Sequence, residues 1–179
     1  NLAENLLEGD DNFIAVIETD EIGNRREFSR RTLKEKVAKT VNGLKKIGVQ
    51  SGDRVAAILP NRIEALVSLL ASASIGAIWT SCSPDFGTKG IIDRIGQTTP
   101  KVLFTTSNYR YNGKEHDFSS RISEIVASLD GLDSVIIIDD KNINISNKSY
   151  NYTLFNEFGI NSNLEFMRLP FSHPSYILY

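Results

Sequence analysis

Nucleophiles, bases and rare side chains are where chemistry starts, and this chain gathers most of them around one stretch. Gly76 to Gln97 (Gly-Ala-Ile-Trp-Thr-Ser-Cys-Ser-Pro-Asp-Phe-Gly-Thr-Lys-Gly-Ile-Ile-Asp-Arg-Ile-Gly-Gln) holds the only Trp, the only Cys, one of five Pro and four of twelve Gly. Cys82, between Ser81 and Ser83, is a nucleophile only with a base beside it, because the thiolate is the reactive form. The available bases are His116 and His173. Neither has a second His or Cys at ligand spacing, so no metal site is predicted. His173-Pro174 reads as a loop landmark, and Cys82 as a small buried residue on a strand edge. The chain also lacks Gly-x-x-x-x-Gly-Lys-Ser/Thr, Gly-x-Gly-x-x-Gly, Gly-x-Ser-x-Gly and His-Glu-x-x-His, so no catalytic residue is assigned.

The elements that must position this stretch follow from periodicity. Phe13 to Glu18 has strand character, Glu21 to Asn24 turn chemistry, and Arg25 to Phe28 returns as a second strand, which predicts an N-terminal β-hairpin after an entry segment, Asn1 to Asp11. Ser29 is placed to cap a helix whose Leu33, Val37, Val41, Leu44 and Ile47 recur at helical spacing, with Gly48 as its stop. Arg54 to Leu59 is a compact apolar strand ending at Pro60. Asn61, with Glu64 three residues on, predicts a capping box for the next helix, whose stripe is Ile63, Leu66, Val67 and Leu70. Gly76 ends that helix and Ala77 to Ser81 is the next strand. Strand, helix, strand in this short space is a βαβ unit, with parallel strands and a right-handed crossover.

The pattern then repeats. A short helix from Gly87 to Thr98 leads to strand Lys101 to Thr105, a loop rich in Tyr, Asn and Gly follows, and Asp117 caps a helix carrying Phe118, Ile122, Ile125, Val126 and Leu129. Ser134 to Asp139 is an apolar strand of the kind buried on both faces of a parallel sheet. Lys141 to Tyr152 reads as an exposed loop, Leu154 to Phe158 as a turn of helix, and Tyr176 to Tyr179 as the start of one more strand. The fold class is α/β, a mostly parallel sheet flanked by helices. A chain leaving mid-strand would forgo about 1.5–3 kcal/mol at each of Ile177 and Leu178. A continuation is therefore expected, and with it an unpaired final strand and aggregation or partner-dependent folding of the isolated chain.

Bulk properties narrow the partners. A length of 179 residues suits one domain or a large piece of a longer chain. A formal net charge of −2 argues against nucleic acid, and the basic run from Arg25 to Lys39, broken by Glu27 and Glu35, reads as a solvated helix face. No stretch is long and apolar enough for a membrane span, and no export signal opens the sequence; the location predicted is cytoplasmic, which one unpaired cysteine suits. The Asn-x-Ser/Thr triplets at Asn144, Asn147 and Asn151 are read as accidents of an Asn-rich composition.

The run Gly76 to Gly87, continued by Asp93-Arg94-Ile95-Gly96-Gln97 and Pro100-Lys101-Val102-Leu103-Phe104, resembles the acetoacetyl-CoA synthetases, a branch of the adenylate-forming ligases related to acetyl-CoA synthetase and luciferase. Asn1 to Leu7, Tyr109 to Lys114 and Phe171 to Tyr179 look like further landmarks in the same order, so the resemblance spans the chain. It implies an incomplete N-terminal domain over residues 1–179 that ends just before the Ser/Thr/Gly-rich phosphate-binding loop, without the C-terminal domain. The whole enzyme would activate acetoacetate with ATP and Mg²⁺ to an acyl-adenylate and transfer the acyl group to CoA. The chain alone, lacking those motifs, would be inactive, with the remainder of its own polypeptide as partner.

The resemblance also implies site residues. Trp79, Thr80 and Ser81 fall where acetyl-CoA synthetases have a Phe-Gly-Gly segment along the pantetheine tunnel. Tyr111, Asn112, Gly113 and Lys114 fall where an Arg-Gly-Gly-Lys/Arg loop meets the 3′-phosphate end of CoA. Both depart from that relative: Thr80 and Ser81 narrow a glycine path, and Tyr111 lacks the bidentate phosphate fork of an arginine, leaving Lys114 or Arg110 to supply charge. Two plainer readings stay open, Trp79 as core and Tyr109 to Lys114 as an ordinary turn. Alternatives for the whole are a ligase for acetate or propionate, or a stand-alone non-catalytic module binding CoA or a nucleotide.

Overall fold

A computed structural model describes residues 1–139 and 150–179. The predicted loop Lys141 to Tyr152 lies outside them as far as 149, as do the triplets at Asn144 and Asn147. The chain opens with helix α1 (Leu2–Leu7), hairpin strands β1 (Ile14–Thr19) and β2 (Arg25–Ser29), and helix α2 (Arg30–Lys46). Then come β3 (Arg54–Ile58), α3 (Ile63–Ser74), β4 (Ile78–Cys82) and α4 (Thr88–Ile95), which tightens into a 3₁₀ turn over Gly96–Thr98. The rest is β5 (Val102–Thr105), hairpin strands β6 (Asn108–Tyr111) and β7 (Lys114–Asp117), α5 (Ser119–Ala127), β8 (Ser134–Ile137) and β9 (Asn151–Leu154).

Among the described residues, one parallel sheet runs β4-β3-β5-β8-β9. Strand alternation sorts its side chains onto two faces. Val55, Ala57, Val102, Phe104 and Ile136 pack with α1, α2 and α3 in one core. Ala56, Ile58, Leu103, Val135 and Ile137 pack with α4 and α5 in the other. Strands buried on both faces are apolar at nearly every buried position, Thr105 and Ser134 at the strand ends excepted, which is why they read as continuous runs.

The helix signals act mostly as predicted. The Ser29 hydroxyl accepts from the Thr32 amide, 3.2 Å. Gly76 sits at φ 74°, and behind it the Ala77 and Gly76 amides donate to Ser72 and Ala73 carbonyls, the crossed pair of a Schellman ending. Gly48 ends α2 the same way, through Val49 to Leu44 and Gly48 to Lys45.

Five expectations are corrected. Asn1 to Asp11 is more than an entry segment: it contains α1, capped by Asn1, with Ala3 and Leu7 buried. The Asn61–Glu64 capping box does not form. The N-cap of α3 is Arg62, without a side-chain cap, because Glu64 turns back onto the Arg62 guanidinium and the free Ile63 amide donates instead to Glu18 of β1, 2.8 Å. The Tyr- and Asn-rich loop is the β6–β7 hairpin. Residues 151–154, expected to divide between loop and helical turn, are strand β9 on the sheet edge. The final segment is not unpaired: Tyr176 bridges in parallel to Trp79, with Trp79 donating to the Ser175 carbonyl and Ile177 to the Trp79 carbonyl. That bridge is all the strand character it has, and Leu178 stays exposed.

Candidate functional site

Ligands of open parallel sheets bind beyond the carboxyl ends of the strands. There the structure has a cleft of about 780 Å³, walled by the β1–β2 turn, the residues after β3, the Ser83–Asp85 loop after β4, and the β6–β7 hairpin. Each wall is locally determined.

The Ser83–Asp85 wall is pinned from below. Arg121 of α5 reaches across to donate to the Pro84 carbonyl at 3.0 Å, to the Thr88 hydroxyl at 3.1 Å and to the Phe86 carbonyl. Its guanidinium lies 4.6 Å from the Phe118 ring centroid, and Arg94 covers Phe86 at 4.5 Å. The planar fork serves each acceptor from a different nitrogen, a spread that the single nitrogen of a lysine does not have. Cys82 lies under this loop, and burial pushes its thiol up to about 11 against the pull of Arg94 and Arg121. A thiol so protonated is a poor nucleophile at neutral pH, as the strand-edge reading requires.

The β6–β7 wall is built differently. At its base Tyr109 stacks on His116 (5.1 Å, 16°) and meets Phe118 edge-on. At its tip Asn112 (φ 50°) and Gly113 (φ 73°) both adopt left-handed backbone, the two-residue turn that Asn-Gly favours. Left-handed turns align consecutive amides toward one side. Here the Asn112 amide donates to Oε1 and the Gly113 amide to Oε2 of Glu21, both at 2.9 Å. Two converging amides are a small anion cradle, and a carboxylate occupies it.

Behind the cleft, buried Asp139 closes a network. Its Oδ2 accepts from the Thr106 hydroxyl (2.8 Å), the Ser107 hydroxyl (2.9 Å) and the Ser107 amide, while Oδ1 lies 3.4 Å from Arg62. Arg62 in turn bridges to Glu64 at 3.1 and 3.2 Å. A buried carboxylate with this many donors ties the ends of β5 and β8 to the start of α3.

The residues singled out by resemblance divide between two places. Trp79 is 5% exposed within the core. Thr80 is buried with its hydroxyl 3.1 Å from the Ile177 carbonyl and from the Tyr179 hydroxyl. Ser81 is exposed. None of these three lines the cleft, whereas Tyr111 does. Asn112 and Gly113 stand at its rim through Glu21, and Lys114 is exposed beside them. The structure thus gathers Tyr111 to Lys114 but not the two groups into one cavity.

Sequence reasoning missed Glu18, Glu21 and Asp139. Asp139 carried a signal, an acid ending the apolar run Ile136-Ile137-Ile138. Glu18 and Glu21 act across long sequence separations and carried none. Among the described residues, no group of three or more His, Cys, Asp or Glu could hold a metal ion, and no helix is long and apolar enough to cross a membrane.

The sequence profile of the AMP-binding enzymes matches residues 5–179. An acetoacetyl-CoA synthetase of Gallus gallus is 39% identical over all of this chain and 28% of its own length. A malonamoyl-CoA synthetase of Penicillium aethiopicum is 37% identical over all of this chain and 27% of its own. The solved acetoacetyl-CoA synthetase from Streptomyces lividans superposes with a TM-score of 0.89 at 34% identity, covering 100% of this chain and 28% of that one. The chain thus spans little more than a quarter of the relatives it matches.

Proposed function

Because the chain belongs to the AMP-binding enzyme family, we propose that it is the opening part of the N-terminal domain of an AMP-forming acid–thiol ligase for acetoacetate. The observation that carries this is the match of the whole chain, in sequence and in fold, to acetoacetyl-CoA synthetases. In such a ligase ATP supplies the leaving group that turns a carboxylate into an acyl donor, with Mg²⁺ offsetting phosphate charge, and CoA supplies the thiol acceptor.

The part assigned to this chain is binding. The Asn112 and Gly113 amides already hold one anion, a Cβ added at Gly113 would meet nothing within 4 Å, and Lys114 stands beside them. That donor set suits the terminal phosphate of CoA. Ser81 is the exposed member of the Trp79–Ser81 group and would face the pantetheine arm, with Trp79 and Thr80 as its rigid backing. No residue of this chain is assigned to ATP, Mg²⁺ or the acyl pocket.

A second reading concerns the acid. The malonamoyl-CoA synthetase match is nearly as strong as the others, and acetoacetate and malonamate share a carbonyl β to the carboxylate. The substrate class that both favour is a short acid with that carbonyl, in preference to acetate or propionate.

The test is to express the complete open reading frame and follow AMP release with ATP, Mg²⁺ and CoA over a panel of acetoacetate, malonamate, acetate and propionate. The highest kcat/KM is expected for acetoacetate. Acid-independent AMP formation, or CoA binding with no turnover on any acid, would instead favour a non-catalytic CoA- or nucleotide-binding module.

A further inference from the structure

We propose that Glu21 is a built-in competitor for the anion cradle at the tip of the β6–β7 hairpin, and that a phosphate-bearing ligand gains the cradle by displacing it. The inference rests on the reading of Tyr111 to Lys114 as the phosphate end of the CoA site.

The contact is well formed but replaceable. Each Glu21 oxygen takes one amide at 2.9 Å, across more than 90 residues of sequence, between groups that are all exposed. Exposed hydrogen bonds of this kind exchange with water at little net cost. Neither turn needs the contact to keep its shape. In the β1–β2 turn, Asp20 accepts from the Ile22 and Asn24 amides at 3.0 and 2.8 Å. The β6–β7 hairpin keeps its own ladder and its Tyr109–His116–Phe118 base.

Charge makes the exchange favourable for a phosphate. Among the described residues Glu21 makes no ion pair: Arg110 is committed to Glu115 at 2.7 Å, and Lys114, next to the cradle, is left without a partner. A phosphate dianion offers the same two amides more oxygens and more charge than a carboxylate, and draws on Lys114 besides. Displaced Glu21 stays on a cleft wall. Phosphate capture would therefore release the tie between the two hairpins and open the mouth of the cleft.

The experiment uses the complete protein and calorimetric titration with CoA and with dephospho-CoA, which lacks the 3′-phosphate. Wild type should prefer CoA. Glu21→Ala should tighten CoA binding about three- to tenfold by removing a competitor and leave dephospho-CoA unmoved, with Glu21→Gln intermediate. Amide exchange at Asn112 and Gly113 should quicken in free Glu21→Ala and slow again with CoA. A wild-type preference for CoA that Glu21→Ala leaves unchanged or weakens overturns the displacement and spares the site reading. Equal binding of the two ligands in wild type and both variants overturns both. If Glu21→Ala folds poorly, Glu21→Gln and the exchange of the wild-type amides with and without CoA test the same displacement.

Discussion

The loop after β4 and the hairpin after β5 leave the sheet on either side of β3 and wall the same cleft, yet they are fixed by opposite means. The first is held by a cation reaching up from the packed helix α5 into backbone carbonyls, with aromatic rings stacked on the cations at both ends. The second is held at its tip by an anion reaching in from another hairpin to backbone amides in solvent. Three contacts from one half-buried guanidinium, set against a core, cannot be surrendered without stranding the carbonyl of buried Pro84 and freeing a charge stacked on Phe118. Two contacts from one exposed carboxylate can be handed to water or to another anion. The contrast separates a fixed wall from an exchangeable one.

The sharpest way to break this contrast is Arg121→Ala. It should lower the stability of the protein by about 1.5–3 kcal/mol, because three hydrogen bonds from one charged, half-buried group are lost together. Arg121→Lys should recover less than half, since one ammonium nitrogen cannot span acceptors on Pro84, Phe86 and Thr88 that the arginine reaches from three nitrogens. Urea unfolding with amide exchange over 83–88 measures both. A loss as small as that of an exposed surface substitution would erase the difference between the walls.

Gly113→Ala probes the other wall. A Cβ there meets nothing, so the cost is only that of a left-handed alanine, about 1 kcal/mol. Thermal melts should show this small loss. A cost of several kcal/mol would mean the hairpin tip is packed as firmly as the Pro84 loop.

The two walls also differ in how far the sequence reveals them. Strands β3, β5 and β8, helices α2 to α5 and the glycine stops of α2 and α3 are written in local periodicity, because those strands are buried on both faces and each helix on one, whereas the half-buried edge strand β9 carries no such run. Gly76-to-Gln97 was legible as strand, proline-fixed loop and helix for the same reason. The β6–β7 hairpin had the strongest short-range hairpin signal available, Asn112-Gly113, but its strands are two-sided and polar, so no alternation announced them and the segment read as loop. Capping at Ile63 failed for a different reason: Asn61 and Glu64 have the right types at the right spacing, but Glu64 finds Arg62 nearer and Glu18 arrives from a distant hairpin. Whatever depends on two segments meeting in space, Glu21 on the turn amides above all, has no signature in either segment alone.

Asp117 stands where the two regions join, and it carries the smallest and most specific expectation. It closes β7, and its carboxylate accepts from the Ser119 amide, 2.9 Å, at the head of the helix that carries Arg121. The Ser119 amide and hydroxyl hold its carboxyl below the usual aspartate range, with slight burial opposing. A carboxyl whose folded value is depressed adds stability that is present above its unfolded value, near 4, and is lost as pH falls through the folded one. Asp117→Ala should therefore cost about 0.5–1 kcal/mol at pH 7, the ordinary worth of a helix-start acceptor, and the gap from wild type should close as pH drops below about 4. Paired urea titrations from pH 7 to 2 read this directly. A gap that stays constant through the carboxylate range would assign Asp117 a packing role, and the fixed wall would then owe nothing to the charge at the base of its neighbour.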